Sequence, residues 1–204
     1  MTPGYWSEAK AHLSKKDKTL KKIISHYEGE LMVTKGDAFF TLARAIAGQQ
    51  ISTKAAATIW GRLQDAVKIT PLAMANADSA LLRACGLSSS KVIYMHALAG
   101  HFLEHENTIK NWPQMSDADI TKELVSIKGI GQWTAEMFLI FHLMRPNVLP
   151  LDDLGLLKGI SVNYFSGEPV SRAEAREVGD AWSPYRSVAT WYIWRSLDPL
   201  PVDY

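Results

Sequence analysis

The stretch LVSIKGIGQWTAEM (Leu124–Met137) decides how this chain is read. Leu124 and Val125 close one apolar-periodic segment, Gly129 and Gly131 permit a tight turn, and Gln132 opens the next helix. Ile130, between the two glycines, can plug apolar surface beneath the turn. A helix opened in this way leaves backbone N–H groups without intrahelical partners, and together with the helix dipole they suit a phosphate. Lys128 beside the turn adds one positive charge. Taken alone, Gly-x-Gly also fits a plain helix–turn–helix connection whose glycines only cap a helix, so the surrounding sequence has to discriminate.

Outward from the turn, the periodicity is helical almost everywhere. Phe39, Leu42, Ala43, Ile46 and Ala47 follow the three-and-four spacing of one buried face. Ser52 caps a segment running toward Leu63, and Ser89 or Ser90 opens another through Val92, Ile93, Met95 and Leu98. Asp117 or Ser116 caps a helix carrying Ile120, Leu124 and Val125. Helices are then expected over Gln132–Met144, Asp152–Val162, Ser171–Ala181 and Pro184–Leu197, with Pro184 at N1 of the last. No run of alternating strand residues flanked by turn signals interrupts them, so the fold class is all-α. IKNWPQM (Ile109–Met115) is the expected lobe boundary. RPNVLPL (Arg145–Leu151) is expected to be extended, because its prolines disfavour helix.

Composition narrows the chemistry. The 204 residues carry 22 lysines and arginines against 21 acids, a net charge of +1, which excludes a polybasic tail as the main device for holding nucleic acid but not a local contact surface. One cysteine, Cys85, excludes an internal disulfide, a four-cysteine zinc site and a cysteine-ligated iron–sulfur cluster. The longest apolar stretch, Trp133–Met144, contains Glu136 and His142 and falls short of the roughly 20 residues a membrane helix needs. The N-terminal residues lack a signal-peptide core, so a cytosolic or nuclear protein is expected. His101 and His105 stand at i and i+4 near His96, but with no third ligand they read as a solvated helix face. Lys15, Lys16, Lys18, Lys21 and Lys22 form a basic cluster that fits DNA contact or a solvated surface.

Asp152 and Asp153 precede an apolar helix. Asp152 suits the N-cap, which leaves Asp153 in the first turn, pointing into a cleft and kept ionised by helix-terminal amides. A 13-residue helix from Gln132 is about 20 Å long, and the seven residues after it reach about 23 Å extended. The chain can therefore return toward the glycine turn and Trp133. Trp133 and Met137, four apart, share one helix face, and Trp191 and Trp194 lie three apart on the last helix. Most of the seven tryptophans belong in the core, but a flat aromatic beside a carboxylate also suits a cationic planar ligand.

IAGQQISTKAA (Ile46–Ala56), IKGIGQWTAEM (Ile127–Met137), LPLDDLGLLKGI (Leu149–Ile160) and WSPYRSVATWYIW (Trp182–Trp194) together resemble the helix-hairpin-helix DNA glycosylases, specifically the DNA-3-methyladenine glycosylase II (AlkA-like) group. The resemblance implies one glycosylase domain over residues 1–204, with two helical lobes and the active-site cleft between them. The hairpin-bearing lobe would span about 35–135, and the N-terminal segment with about 136–204 would form the other. The short N-terminus resembles the compact form without the additional β-rich domain of some relatives.

By position, Asp153 is similar to the family's catalytic aspartate, and Trp133, Trp194 and Met137 to the base pocket. Gln50 is similar to the wedge that fills the gap left in the duplex. Lys128, Gly129, Ile130, Gly131 and Thr134 resemble the DNA-backbone grip. The resemblance implies no required cofactor, but a structural Na+ or K+ held by backbone carbonyls of Lys128 and Ile130. Met137 stands where some relatives place tyrosine, and Gln50 where some place leucine. Relatives with lyase activity carry a lysine at the position of Trp133, so no lyase step is expected. The implied function is a monomeric, monofunctional glycosylase that flips out and excises alkylated purines from double-stranded DNA in base excision repair. It would need no membrane and would work in the cytoplasm near the nucleoid or in the nucleus. The alternative is a non-catalytic lesion-binding protein that keeps the hairpin.

Overall fold

The computed structural model describes residues 3–34 and 37–197. Along the chain the helices are α1 (Trp6–Lys16), α2 (Lys18–His26), α3 (Ala38–Gly48), α4 (Thr53–Ala66), α5 (Pro71–Ala75), α6 (Ser79–Ala84), α7 (Ser89–Glu104), α8 (Glu106–Asn111), α9 (Asp117–Ser126), α10 (Gln132–Phe141), α11 (Leu154–Tyr164), α12 (Arg172–Asp180) and α13 (Arg186–Leu197). No strand occurs among the described residues, and the fold is all-α. Two compact units emerge, one from the chain up to Thr34 and from Leu139 onward, the other from the residues between. The expected start of the hairpin-bearing lobe near residue 35 falls on Lys35 and Gly36, outside the described residues.

The middle unit is organised by α7, which packs against α3, α5 and α6. Its aromatic core is a chain of edge contacts: Phe39 to Phe102 at 5.3 Å, Phe102 to Trp112 at 5.7 Å, and Trp112 to Phe138 at 5.4 Å. Such pairs add to the area term that dominates burial. Trp112 is also tied by Nε1–H to Glu123 Oε2 at 2.9 Å, and the other Glu123 oxygen lies 2.9 Å from His101 Nε2. These contacts correct the expected boundary at Ile109–Met115. That segment is α8 followed by a single 3₁₀ turn, Trp112–Gln114, pinned inside the unit by its buried tryptophan. They also correct the solvated reading for two of the three histidines, because His101 is mostly buried on Glu123 and His96 Nε2 meets the Ala77 carbonyl at 3.1 Å, while His105 is exposed as expected.

In the other unit α13 is buried along most of its length and packs on α11, α2 and α1. Trp6 of α1 meets Trp191 edge-on at 5.3 Å. Asp17 ends α1 and caps α2, Oδ1 accepting from the Thr19 and Leu20 amides at 2.8 and 2.9 Å, while Oδ2 accepts from Tyr164 and Trp182. One short acid thus joins a helix corner to α11 and to the chain before α13. Burial and the Asp17 hydrogen bond push the Tyr164 phenol well above its ordinary pKa, so it stays a donor.

Helix limits differ from the sequence reading in instructive ways. The helix from Gln132 stops at Phe141 rather than Met144, because Met144 takes the left-handed conformation (φ 53°) and the Arg145 amide turns back to the Leu139 carbonyl at 2.8 Å. Ser88, not Ser89 or Ser90, caps α7, and Ile93 and Val125 face outward. Pro184 sits in the turn ahead of α13, which begins at Arg186, not at N1 of the helix.

Helices α11 and α13 approach each other closely in this unit. A Cβ at Gly159 would lie 2.2 Å from Ile193 Cγ2 and 3.2 Å from the Ile193 carbonyl oxygen. Gly159→Ala is therefore expected to force the helices apart and cost about 1–3 kcal/mol, read as a lowered urea midpoint. An unchanged midpoint would show that the contact relaxes freely.

Candidate functional site

Two constellations of candidate residues are built, one in each unit. In the middle unit the turn between α9 and α10 is closed by the Ile127 amide on Leu124 O (3.1 Å) and the Ile130 amide on Ile127 O (3.0 Å). Ile130 is buried, as a plug beneath the turn requires. Gly129 has φ 95°, and a Cβ there would lie 2.2 Å from the Tyr94 ring, so both conformation and space demand glycine. Gly131 differs, since nothing lies within 4 Å of the position its Cβ would take. Its side is open to a group from outside.

Gly131 O accepts from Ala135 N at 3.0 Å and starts the α10 ladder. The N–H groups of Gly131, Gln132 and Thr134 donate to no described residue. Unpaired amides at a helix start, with Lys128 exposed beside them, are an anion-binding arrangement. Thr134 itself is buried.

Trp133 is 38% exposed, whereas Met137, one turn on, is 2% exposed. The shared face of the two residues therefore runs from surface to core, with Trp133 as its accessible end. Gln50 is exposed and left-handed (φ 57°), in the short turn between Gln49, which ends α3, and Ser52, whose hydroxyl caps α4. A non-glycine residue held at positive φ marks a backbone that its surroundings have fixed.

Sequence reasoning missed what surrounds this turn. Gln49 Nε2 donates to the Gly129 carbonyl at 2.9 Å, and Lys91 Nζ donates to the Ala47 carbonyl at 2.8 Å. Desolvation lowers the Lys91 pKa from its ordinary value. Both contacts link segments far apart in the chain, and no local pattern encodes them.

In the other unit Asp153 caps α11 itself. Its Oδ1 accepts from the Leu156 amide at 2.6 Å and from Trp194 Nε1 at 2.8 Å. The expected division of labour between the paired acids is thus corrected. Asp152 is exposed and pairs with Arg172 at 2.7 Å across the surface, an arrangement worth little in stability. Asp153 holds the helix end and faces the indole at once.

Trp194 is only 8% exposed and stacks on Phe141 (5.7 Å, 16° between planes). It serves as a wall and a hydrogen-bond donor more than as an open platform. Gly155 keeps the pair intact, because a Cβ there would press to 3.1 Å on Asp153 Oδ1 and 3.3 Å on Trp194 Nε1. The visible signal was the Gly155/Gly159 spacing of four on α11, which was legible but unread.

Among the described residues no group of three or more histidines, cysteines or acids is placed to hold a metal. The five lysines at the α1–α2 corner are all exposed. No described helix is long and apolar enough to cross a membrane.

Comparison with known proteins adds an independent line. Residues 43–184 match the model of the HhH-GPD superfamily base excision DNA repair proteins. DNA-3-methyladenine glycosylase 1 of Schizosaccharomyces pombe is 30% identical over 93% of this chain and 87% of its own length. The DNA-3-methyladenine glycosylase of Saccharomyces cerevisiae is 30% identical over 90% of this chain and 77% of its own. Among solved structures, a DNA-3-methyladenine glycosidase from Bacillus halodurans superposes with a TM-score of 0.84 at 32% identity, covering 93% of this chain and 88% of that one. The S. pombe 3-methyladenine DNA glycosylase in complex with abasic DNA gives a TM-score of 0.80 at 29% identity, covering 97% and 98%.

Two outcomes test the geometry. Trp194→Phe keeps a ring against Phe141 but removes the N–H and part of a buried side chain, and is expected to lower the melting temperature by a few degrees and to slow base release about tenfold, in line with one charge-assisted hydrogen bond lost to Asp153. Wild-type turnover would remove the indole from any role there. Gly131→Ala, at an open position, is expected to keep the fold and to weaken duplex binding in a fluorescence-anisotropy titration. Equal affinity would take the turn out of the DNA contact.

Proposed function

Because the chain belongs to the HhH-GPD superfamily of base excision DNA repair proteins, we propose that it is a DNA-3-methyladenine-type glycosylase that hydrolyses the N-glycosidic bond of alkylated purines. The observation that carries the reading is the carboxylate of Asp153, held on a helix end by Leu156 N and Trp194 Nε1. Its relatives bear the name of that activity, and one of them is solved on abasic DNA.

A base inside a duplex is out of reach, so the nucleotide is extruded at a cost of a few kcal/mol. The open amides at Gly131 and Gln132, with Lys128, hold a backbone phosphate, and Gln50 fills the vacated stack. Amide contacts need little net charge, which reconciles DNA binding with a balance of +1. The carbonyls of Lys128 and Ile130 accept no hydrogen bond from the described residues, so the turn has room for a Na+ or K+ that would add positive charge beside the phosphate. No step of the reaction runs through it.

An alkylated purine such as 3-methyladenine is cationic in the nucleotide and leaves as a neutral base, taking the glycosidic electron pair. No general acid is needed. The developing positive charge falls on the sugar, where Asp153 stabilises it electrostatically. Water then adds at the anomeric carbon, loses its proton and leaves an abasic sugar. In the middle unit, exposed Trp133 offers aromatic surface that suits a cationic planar base. Trp133 is not a Schiff-base nucleophile, so the reaction stops at the abasic site. The protein acts as a monomer on alkylated double-stranded DNA, in the nucleoid or the nucleus.

Asp153→Asn preserves the N-cap, since asparagine caps as well as aspartate, but removes the charge. Release of methylated bases from alkylated duplex DNA, followed chromatographically, is expected to fall by about 10²–10³-fold with lesion binding retained. Release at the wild-type rate would overturn the assignment, and no release by the wild type itself would overturn the activity.

A further inference from the structure

We propose that Gln49 is a positioning residue that clamps the Gln50 turn to the phosphate-gripping hairpin, so that wedge and hairpin meet the duplex as one rigid piece. The inference rests on the reading of Gln50 as the wedge. Its basis is a set of contacts in the middle unit. Gln50 stands at φ 57°, a conformation an unbranched L residue holds only when its neighbours fix it. The residue before it donates through Nε2 to the Gly129 carbonyl at 2.9 Å, 80 positions along the chain. That carbonyl belongs to the one hairpin glycine whose φ and close neighbour both exclude a side chain.

A third element completes the brace. Lys91 of α7 donates to the Ala47 carbonyl at the end of α3 at 2.8 Å, and Tyr94, one turn further along α7, lies against Gly129. Wedge turn and hairpin therefore share one floor, and Gln49 is the strut joining them above it. The consequence is mechanical. A wedge on a loose turn loses its side-chain and backbone order on insertion, whereas a clamped turn has already lost it in folding. Phosphate capture at the hairpin then fixes where Gln50 enters the stack, which converts backbone binding into base displacement.

The test uses the full chain and a duplex holding a tetrahydrofuran abasic analogue beside 2-aminopurine, whose fluorescence reports loss of stacking. Gln49→Met keeps length and loses the amide donor. Its melting temperature is expected to stay within a few degrees of wild type, with affinity for undamaged duplex within about threefold. The 2-aminopurine response is expected to fall to near that of Gln50→Ala. Single-turnover release of methylated bases should drop by about tenfold or more. Because the two residues act as one device, the double variant Gln49→Met/Gln50→Ala should be no worse than Gln50→Ala alone.

A full fluorescence response in Gln49→Met, or losses that add in the double variant, would overturn the clamp while leaving the wedge in place. If Gln50→Ala itself responds like wild type, the wedge reading falls and the clamp with it.

Discussion

Asp153 Oδ1 takes two hydrogen bonds from two different helices, the Leu156 amide of its own and the Trp194 indole of α13, and the rest of its unit is arranged so that both can form. The indole reaches only because α11 and α13 run almost backbone to backbone. That approach needs Gly155 and Gly159, since a methyl at either would press on the pair itself or on Ile193. Helix α13 is in turn held from its other sides. Trp6 packs on Trp191, and Arg195, itself buried, pairs with Glu30 at 2.6 Å and lies over the Tyr27 ring at 4.8 Å. Charge buried this deeply stays stable only when paired, so the N-terminal segment is bound to the helix that carries Trp194.

The middle unit solves a different problem with similar means. The groups proposed to meet DNA there are backbone groups, and these keep their geometry only if something rigid stands beneath them. Helix α7 is that support, reaching the end of α3 through Lys91 and the hairpin through Tyr94. The two glycines of the hairpin then divide. Gly129 is glycine because the fold leaves no alternative, and Gly131 meets no internal demand. The space beside Gly131 is therefore open, as the proposed phosphate contact requires.

Much of this was legible before any coordinates. Helical periodicity, the caps Ser52 and Ser116 and the plug at Ile130 are local or patterned features, and each appears in the structure. The errors were also local in origin. A proline expected at N1 lies in the turn before α13, and a loop expected at Ile109–Met115 is helix and 3₁₀ turn. Propensity rules cannot see the buried Trp112–Glu123–His101 set that holds that segment down. The cap expected of Asp152 fell to Asp153 because either acid can cap a helix, and Asp153 takes the indole of Trp194 as well.

The sequence by itself determined that the chain is helical, where its glycine turn and its paired acids lie, and which family those motifs resemble, because these depend on residues near one another in the chain. Tertiary structure decided which acid faces the indole, how little of Trp194 and Met137 remains accessible, and that Gln49 ties the Gln50 turn to Gly129. Those outcomes rest on contacts between segments 41 to 80 positions apart. Such contacts exist only once packing has placed the helices, and no spacing rule along the chain anticipates them.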